Sequence, residues 1–359
     1  MLYPFQPLVF SEEAIGRFGE PTRLSSDRSP GDGNPVSVRV LHEAETPGSY
    51  RRGENRTRSF LDREIMILLD TSYAIYSITR PNRPDMHGIV GVLDLEHATV
   101  YPHEDVIPSA VATRRADIER AGGFLEPVIV TTDLSHLVSM AAGDVYQRRV
   151  RYDDEVHALS IITSDPTSLP QEATTDGLVV LDGHHRIAAA RQHADLTSTS
   201  PWVLAMVVDA RSPGLFVEPQ HRVLSGPPVD LMAMPGATNI AVFRRGDVVP
   251  PGSVAIISDT VSVVIRSTRE PSPEEGRISA LTLDREILEP LQQRVEGYAT
   301  RESDAFEQLD SGANAVAIMG DLLISDVMTT ARRGVILPEK TTCFNPKVAV
   351  GLVGSLLRA

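Results

Sequence analysis

The chain has a single cysteine, Cys343, among its 359 residues. One thiol can form neither an intramolecular disulfide nor a cysteine-built zinc cage, and such usage fits a reducing compartment. Also lacking is any run of about 18 consecutive apolar residues, the length that a membrane-spanning helix requires. Residues 1–7 carry neither a charged start nor a long apolar stretch, so neither secretion nor a membrane span is expected and the chain is assigned to the cytoplasm. Positive charge is short as well: Lys plus Arg is 34 against 48 for Asp plus Glu, a net charge of -14. No cluster of basic residues interleaved with aromatics offsets that balance. Nucleic acid is therefore not an expected partner, because affinity for it comes from neutralised phosphates. A local basic pocket for a small phosphorylated compound is not excluded by an acidic total.

What is present is enough chain for two compact lobes, or for one domain with a large elaboration. Residues 19–54 are rich in Gly, Pro, Ser and charge and are expected to be mostly loop, with a short strand over 36–40. Apolar spacing predicts a helix over 60–69 and strands over 73–78 and 88–93. A helix over 112–120, stopped by Gly122-Gly123, precedes a strand over 127–130. The run 177–181 is a strand that passes through Asp-Gly into an alanine-rich helix. A further strand over 202–208 suits a strand-helix-strand unit. Downstream, 239–243, 253–257 and 261–265 suggest an antiparallel meander, and 271–275 a loop. Helices over 283–294 and 322–332 flank a strand over 315–319. The expected fold class is α+β (mixed α/β). Its divisions are an N-terminal region over 1–95, a core over 96–212, and a C-terminal region over 213–359 that packs on the core.

The segment Asp182-Gly183-His184-His185-Arg186 carries the strongest chemical signal. A strand that ends in Asp-Gly and opens a helix presents backbone N–H groups at a positive dipole end, where anions bind. Gly183 permits close approach, Arg186 can fork onto phosphate oxygens, and Asp182 can cap the helix or contact magnesium through water. A plain helix cap with surface histidines uses the same residues. His103-Glu104 lies between a strand and the helix that carries Arg114 and Arg115, and Glu104 can serve as a general base. Glu218-Pro219-Gln220-His221-Arg222 and the run over 337–347, with Lys340 and Thr341, add a cation pair and a candidate phosphate-facing loop. The histidines 103, 184, 185 and 221 can also ligate a metal, although no tight ligand spacing occurs.

Together these pieces resemble the domain-of-unknown-function family numbered 1015, which is related to archaeal free serine kinases and the wider ParB/sulfiredoxin superfamily. The resemblance rests on Asn34-Pro35, Gly88-Ile89-Val90-Gly91 leading to His103-Glu104, Arg114, Pro127, and Asp182-Gly183-His184-His185-Arg186. Pro219 with His221-Arg222 and the run Pro338-Glu339-Lys340-Thr341-Thr342 with Phe344 and Pro346-Lys347 complete it. It implies a ParB/sulfiredoxin-like core of mixed sheet and helices, elaborated by N- and C-terminal α+β regions. It further implies a nucleotide-dependent phosphotransferase, serine-kinase-like, acting on a small hydroxylated substrate, with Mg2+ and ATP, ADP or another nucleotide. The implied catalytic residues are Glu104, His103 and Asp182. Gly183, His184, His185, Arg186 and Arg114 are implied at the nucleotide phosphates, His221, Arg222, Lys340 and Thr341 as substrate or phosphate contacts, and Mg2+ near Asp182. Homo-oligomers are compatible with this reading.

Three departures stand out. Asp105-Val106-Ile107 replaces the Lys-Thr-Arg common after the His-Glu pair, Thr113 replaces an Asp before Arg114, and no Pro-Tyr-Asp-Val-like motif occurs between Arg17 and Asp32. Two alternatives to the kinase remain: a non-catalytic nucleotide-binding switch or adaptor, and a metal-assisted hydrolase built on the histidines.

Overall fold

The computed structural model describes residues 1–18, 56–133, 147–152, 154–162, 177–226, 241–258, 262–266, 278–284, 288 and 293–357. They form a mixed α+β structure in two compact units, one of residues 1–100, 106–215 and 346–359, the other of residues 101–105 and 216–345. No helix among the described residues is long and apolar enough to cross a membrane.

In the first unit one sheet runs in the order Leu178–Asp182, Val128–Thr132, Trp202–Asp209, Arg83–Asp94, Tyr73–Arg80, Glu155–Ile162, Gln147–Tyr152. Central strands are buried on both faces and are therefore continuous apolar runs, as in Trp202–Asp209, which is buried throughout except at Trp202. Tyr73–Arg80 and Arg83–Asp94 form a hairpin with Ile75 opposite Ile89. Helices Pro108–Ala121 and His184–Thr197 pack against each other, burying Val111, Ile118 and Ala121 from one and Ile187, Ala190 and Ala194 from the other. The three-to-four-residue spacing of these positions is that of a single helix face. Gly122 ends the first helix in the left-handed conformation, its N–H on the Ile118 carbonyl. A smaller cluster of Leu8, Phe10, Phe60, Ile65, Met66 and Leu125 closes this unit.

The second unit is built on an antiparallel six-stranded sheet in the order Ala241–Val242, Ser262–Arg266, Ser253–Ser258, Ala315–Met319, His221–Ser225, Arg294–Ala299. Helix Glu302–Asp310 contributes Ala305, Phe306 and Leu309 to its core, and Ile324–Arg332 buries Val327, Met328 and Ala331. A two-stranded ribbon pairs Phe216–Pro219 with Thr342–Asn345.

Several elements differ from expectation. The helix expected over 60–69 stops early: Arg56–Asp62 is helical, Glu64 takes a positive φ of 53°, and Met66–Leu68 pairs as a strand with Leu8–Phe10. A short apolar run fits both periods, and here burial of Met66 against Leu8 and Phe10 decides for the strand. The strand-helix-strand reading fails in its pairing. Val128–Thr132 lies between the two strands, antiparallel to Leu178–Asp182 and parallel to Trp202–Asp209. The expected meander is reordered, since Ala241–Val242 pairs with Ser262–Arg266. At the expected helix over 283–294, Ser279–Leu283 is helical, Asp284 and Leu288 are π-helical, and Arg294 opens a strand, while residues 285–287 and 289–292 lie outside the described residues. The loop over 19–54, its strand over 36–40 and the loop over 271–275 lie outside the described residues.

Candidate functional site

In the first unit, strand Leu178–Asp182 runs buried to Leu181, emerges at Asp182 and turns through Gly183 into helix His184–Thr197. Gly183 has a φ of 101°, and a Cβ on it would stand 2.6 Å from Val128 Cγ1. Only glycine meets both conditions without strain. The turn places the start of a 14-residue helix, and its positive dipole end, directly after a carboxylate.

That carboxylate is held by two cations. Lys347 Nζ lies 2.5 Å from Asp182 Oδ1, and Arg186 donates through Nη2 to Oδ2. Burial works against ionisation of Asp182, but Lys347 and Arg186 outweigh it and hold its pKa far below the usual carboxylate range. Arg186 also donates through Nη1 to the Pro127 carbonyl at 2.8 Å and lies 3.2 Å from Glu126 Oε1. The guanidinium expected to fork onto phosphate is thus turned to protein groups and ties the turn to residues 126–127. Each oxygen of the Asp182 carboxylate is thus engaged by one cation. The positive charge beside the helix start is supplied by Lys347 and Arg186.

His185 Nε2 accepts the backbone N–H of Ile107 at 3.0 Å. A backbone N–H can only donate, so this nitrogen carries no proton and the ring is neutral in that arrangement. His184 lies close enough to Asp182 to favour its charge. Arg114 is exposed and pairs with Asp117 at 3.3 Å, an aspartate that also takes Arg120 at 2.7 Å. The structure places Arg114 in a helix-surface ion pair.

The second unit holds His103 and Glu104. Glu104 bridges in parallel to Leu337, whose N–H donates to the His103 carbonyl at 2.8 Å. The His103 ring is fully buried, edge-on to Phe344 at 5.6 Å between centroids, with Nε2 2.8 Å from Thr342 Oγ1. Thr342 also donates to Glu104 Oε1 twice, from its backbone N–H at 3.1 Å and its hydroxyl at 3.0 Å.

Of the neighbouring candidates, Thr341, Arg222 and His221 are buried. Thr341, expected as a substrate or phosphate contact, is buried and donates its hydroxyl to the Pro338 carbonyl at 2.6 Å, closing a turn. Lys340 is exposed on that turn at a positive φ of 57°. Arg222 is buried, donates to the Gln220 and Glu339 carbonyls, and lies 4.8 Å from the centre of the Tyr298 ring. Burial pulls its pKa down, while Tyr298, Asp284, Glu104 and Glu339 oppose the fall. His221, expected as a contact, is buried and accepts the Met319 N–H through Nδ1 at 3.1 Å. Burial first, and then adjacent Arg222, draw its pKa down to about 4 against the weaker pull of Asp304. Accepting through Nδ1 leaves the ring's proton on Nε2.

The structure therefore brings together Asp182 with Gly183, His184 and Arg186, and separately His103 with Glu104. Lys347 and Thr342 were not among the candidates, although both lie in the run over 337–347 whose lysine and hydroxyls pointed there. Among the described residues, one group of three potential metal ligands converges, Asp94, Glu96 and His97, and none of the four candidate histidines belongs to it.

The model of the family described as protein of unknown function (DUF1015) matches residues 32–251. Among curated proteins no sequence matches the chain. Solved structures similar to it include a conserved hypothetical protein from Pyrococcus furiosus, 16% identical, covering 73% of this chain and 93% of that one at a TM-score of 0.40. A free serine kinase in complex with AMP is 15% identical, with coverages of 73% and 92% and a TM-score of 0.41. SbnI with a C-terminal truncation from Staphylococcus aureus is 13% identical, with coverages of 74% and 87% and a TM-score of 0.44.

Proposed function

We propose that this chain, which belongs to the DUF1015 family, is a nucleotide-dependent phosphotransferase acting on the hydroxyl of a small molecule. The observation that carries the reading is the start of helix His184–Thr197. It is opened by a glycine that tolerates close backbone approach and lies next to the Lys347–Asp182–Arg186 charge cluster. A helix N-terminus with cations beside it suits the terminal phosphates of a nucleotide. Lys347 is the cation assigned to them, its side chain being 30% exposed, against 12% for the more fully engaged Arg186.

Phosphoryl transfer asks a protein mainly for positioning and charge stabilisation. In the proposed reaction a general base, the role that the resemblance implies for Glu104, takes the proton of the acceptor hydroxyl. The freed oxygen forms a bond to the terminal phosphorus while the bond from phosphorus to the nucleotide's bridging oxygen breaks, and the electron pair leaves with the shortened nucleotide.

The test is a thermal-shift series on the whole chain with ATP, ADP, CTP and GTP, with and without magnesium, read by the fluorescence of Trp202, the single tryptophan. An adenine nucleotide at about 100 times its Kd should raise Tm by about 5–10 °C. Lys347→Ala should weaken that nucleotide at least about tenfold, the scale of one charge-assisted contact. With a panel of hydroxy amino acids, Glu104→Gln should lower turnover by about 100-fold or more while leaving the thermal shift intact. No shift with any of the four nucleotides, together with no turnover, would refute the proposal.

One observation favours a second reading. Asp105, Val106 and Ile107 are exposed where the resemblance leads one to expect two cations and a hydroxyl, which fits a nucleotide-binding switch that has lost its chemistry. Nucleotide-driven self-association without turnover would select it.

A further inference from the structure

Glu104 is oriented by a residue 238 positions away in the chain, and that residue also touches buried His103. Thr342 offers Glu104 Oε1 two donors, its backbone N–H at 3.1 Å and its hydroxyl at 3.0 Å. The same hydroxyl oxygen lies 2.8 Å from His103 Nε2. A hydroxyl has one proton. While Glu104 is ionised, that proton is committed to the carboxylate, because an ionised carboxylate only accepts. The short contact to His103 must then run the other way, with Nε2–H donating to the threonine oxygen. The three groups form a directional chain from His103 through Thr342 to Glu104, and it specifies the Nε2–H tautomer of a ring that burial and Phe344 hold in place.

We infer that Thr342 is the positioning residue for Glu104: with its hydroxyl oriented by His103, it fixes the direction in which the carboxylate meets a substrate hydroxyl. The inference rests on the reading of Glu104 as the base of a phosphotransferase. Because a base must lie within hydrogen-bond reach of the proton it removes, a carboxylate free to rotate spends part of its time unproductive. Thr341, next in the chain, does not share this role, since its hydroxyl is directed to the Pro338 carbonyl.

The test compares Thr342→Val, which keeps shape and loses the hydroxyl, with Thr342→Ser, which keeps the hydroxyl, in the full chain. Nitrogen-15 spectra of labelled histidine should show His103 protonated at Nε2 in the parent and the serine variant, and a changed balance of protonation between the two ring nitrogens in the valine variant. In phosphotransfer assays the valine variant should lose about 10- to 100-fold in kcat with the nucleotide KM unchanged. The serine variant should recover most of that loss. An Nδ1–H tautomer in the parent chain, or a valine variant with an unaltered His103 spectrum or unaltered kcat, would overturn the inference. If the parent chain transfers no phosphate at all, the phosphotransferase reading fails by itself. The tautomer comparison then still decides whether Thr342 orders the pair.

Discussion

Acidification tests the assignment of His221 as an internal acceptor. In the folded chain burial and the neighbouring Arg222 bring its pKa from the ordinary 6.5 down to about 4, and its Nδ1 already accepts the Met319 N–H. Protonation at that nitrogen would break the bond and place a cation beside a buried guanidinium. The unfolded chain takes up the proton near pH 6.5 and the folded chain only near pH 4, so between these values the unfolded state binds more protons. The stabilisation is fully present above pH 6.5, declines as pH falls through the window, and is lost below about pH 4. A difference of about 2.5 units corresponds to about 3 kcal/mol. The control is His221→Gln, which retains an acceptor and does not titrate in this range. Its urea unfolding is compared with that of the parent chain from pH 7 to pH 4. Far-UV circular dichroism is the appropriate signal, because Trp202 belongs to the other unit. Carboxylates titrate in both proteins and cancel in the comparison. The parent chain should lose about 3 kcal/mol more than the variant, and the His221 ring resonances should stay neutral to below pH 5. Equal pH slopes, or a midpoint near pH 6.5, would refute the reasoning and return His221 to the list of substrate contacts.

Two further perturbations probe the first unit. Gly183→Ala should cost about 1–3 kcal/mol, because it combines a positive φ with a Cβ placed 2.6 Å from Val128 Cγ1; Trp202 fluorescence in a denaturant titration measures it, and a loss below about 0.5 kcal/mol would mean the turn relaxes freely. Tyr76→Phe removes a buried hydroxyl that lies 3.0 Å from His157 Nδ1 and accepts the Ala349 N–H at 2.8 Å. It should cost about 1–3 kcal/mol and accelerate hydrogen exchange at the Ala349 amide, and unchanged exchange there would show that this hydroxyl does not anchor the C-terminal segment.

The sheet strands were legible where apolar content and length left one solution. The expected strand over 315–319 is the observed Ala315–Met319, and the hairpin built on Tyr73–Arg80 and Arg83–Asp94 follows from its buried tyrosines and isoleucines. Pairing was not legible. Nothing in the local pattern of 177–208 announces that Val128–Thr132 inserts between the two strands on either side of the helix, because strand partners are chosen by packing across the chain and not by spacing along it. The segment over 60–69 failed for a related reason. Its apolar residues satisfy a helical period locally, and the contact of Met66 with Leu8 and Phe10 comes from 56 to 58 positions away.

The candidate site separates along the same line. Residue type identified the turn at 182–186 and the His103-Glu104 pair, because glycine at a strand end, a helix start and a carboxylate beside a histidine each have a local meaning. Partnership did not follow from type. Arg186, Arg222, His221 and Thr341 have the donors or acceptors that an anion or hydroxyl site uses, yet a backbone carbonyl or amide uses them equally well, and in this fold it does. The groups that couple the two constellations' carboxylates to their surroundings are Lys347, 165 positions from Asp182, and Thr342, 238 positions from Glu104. Both belong to one C-terminal run, whose two threonines and two lysines do not show along the sequence which of each pair meets a carboxylate. Of the lysines, Lys340 is exposed on a left-handed turn while Lys347 reaches a carboxylate. Of the threonines, Thr341 closes the turn while Thr342 meets Glu104. The difference falls at an element boundary: Thr341 ends the turn that closes on Pro338, while Thr342 opens the ribbon strand Thr342–Asn345, so neighbouring hydroxyls meet different partners.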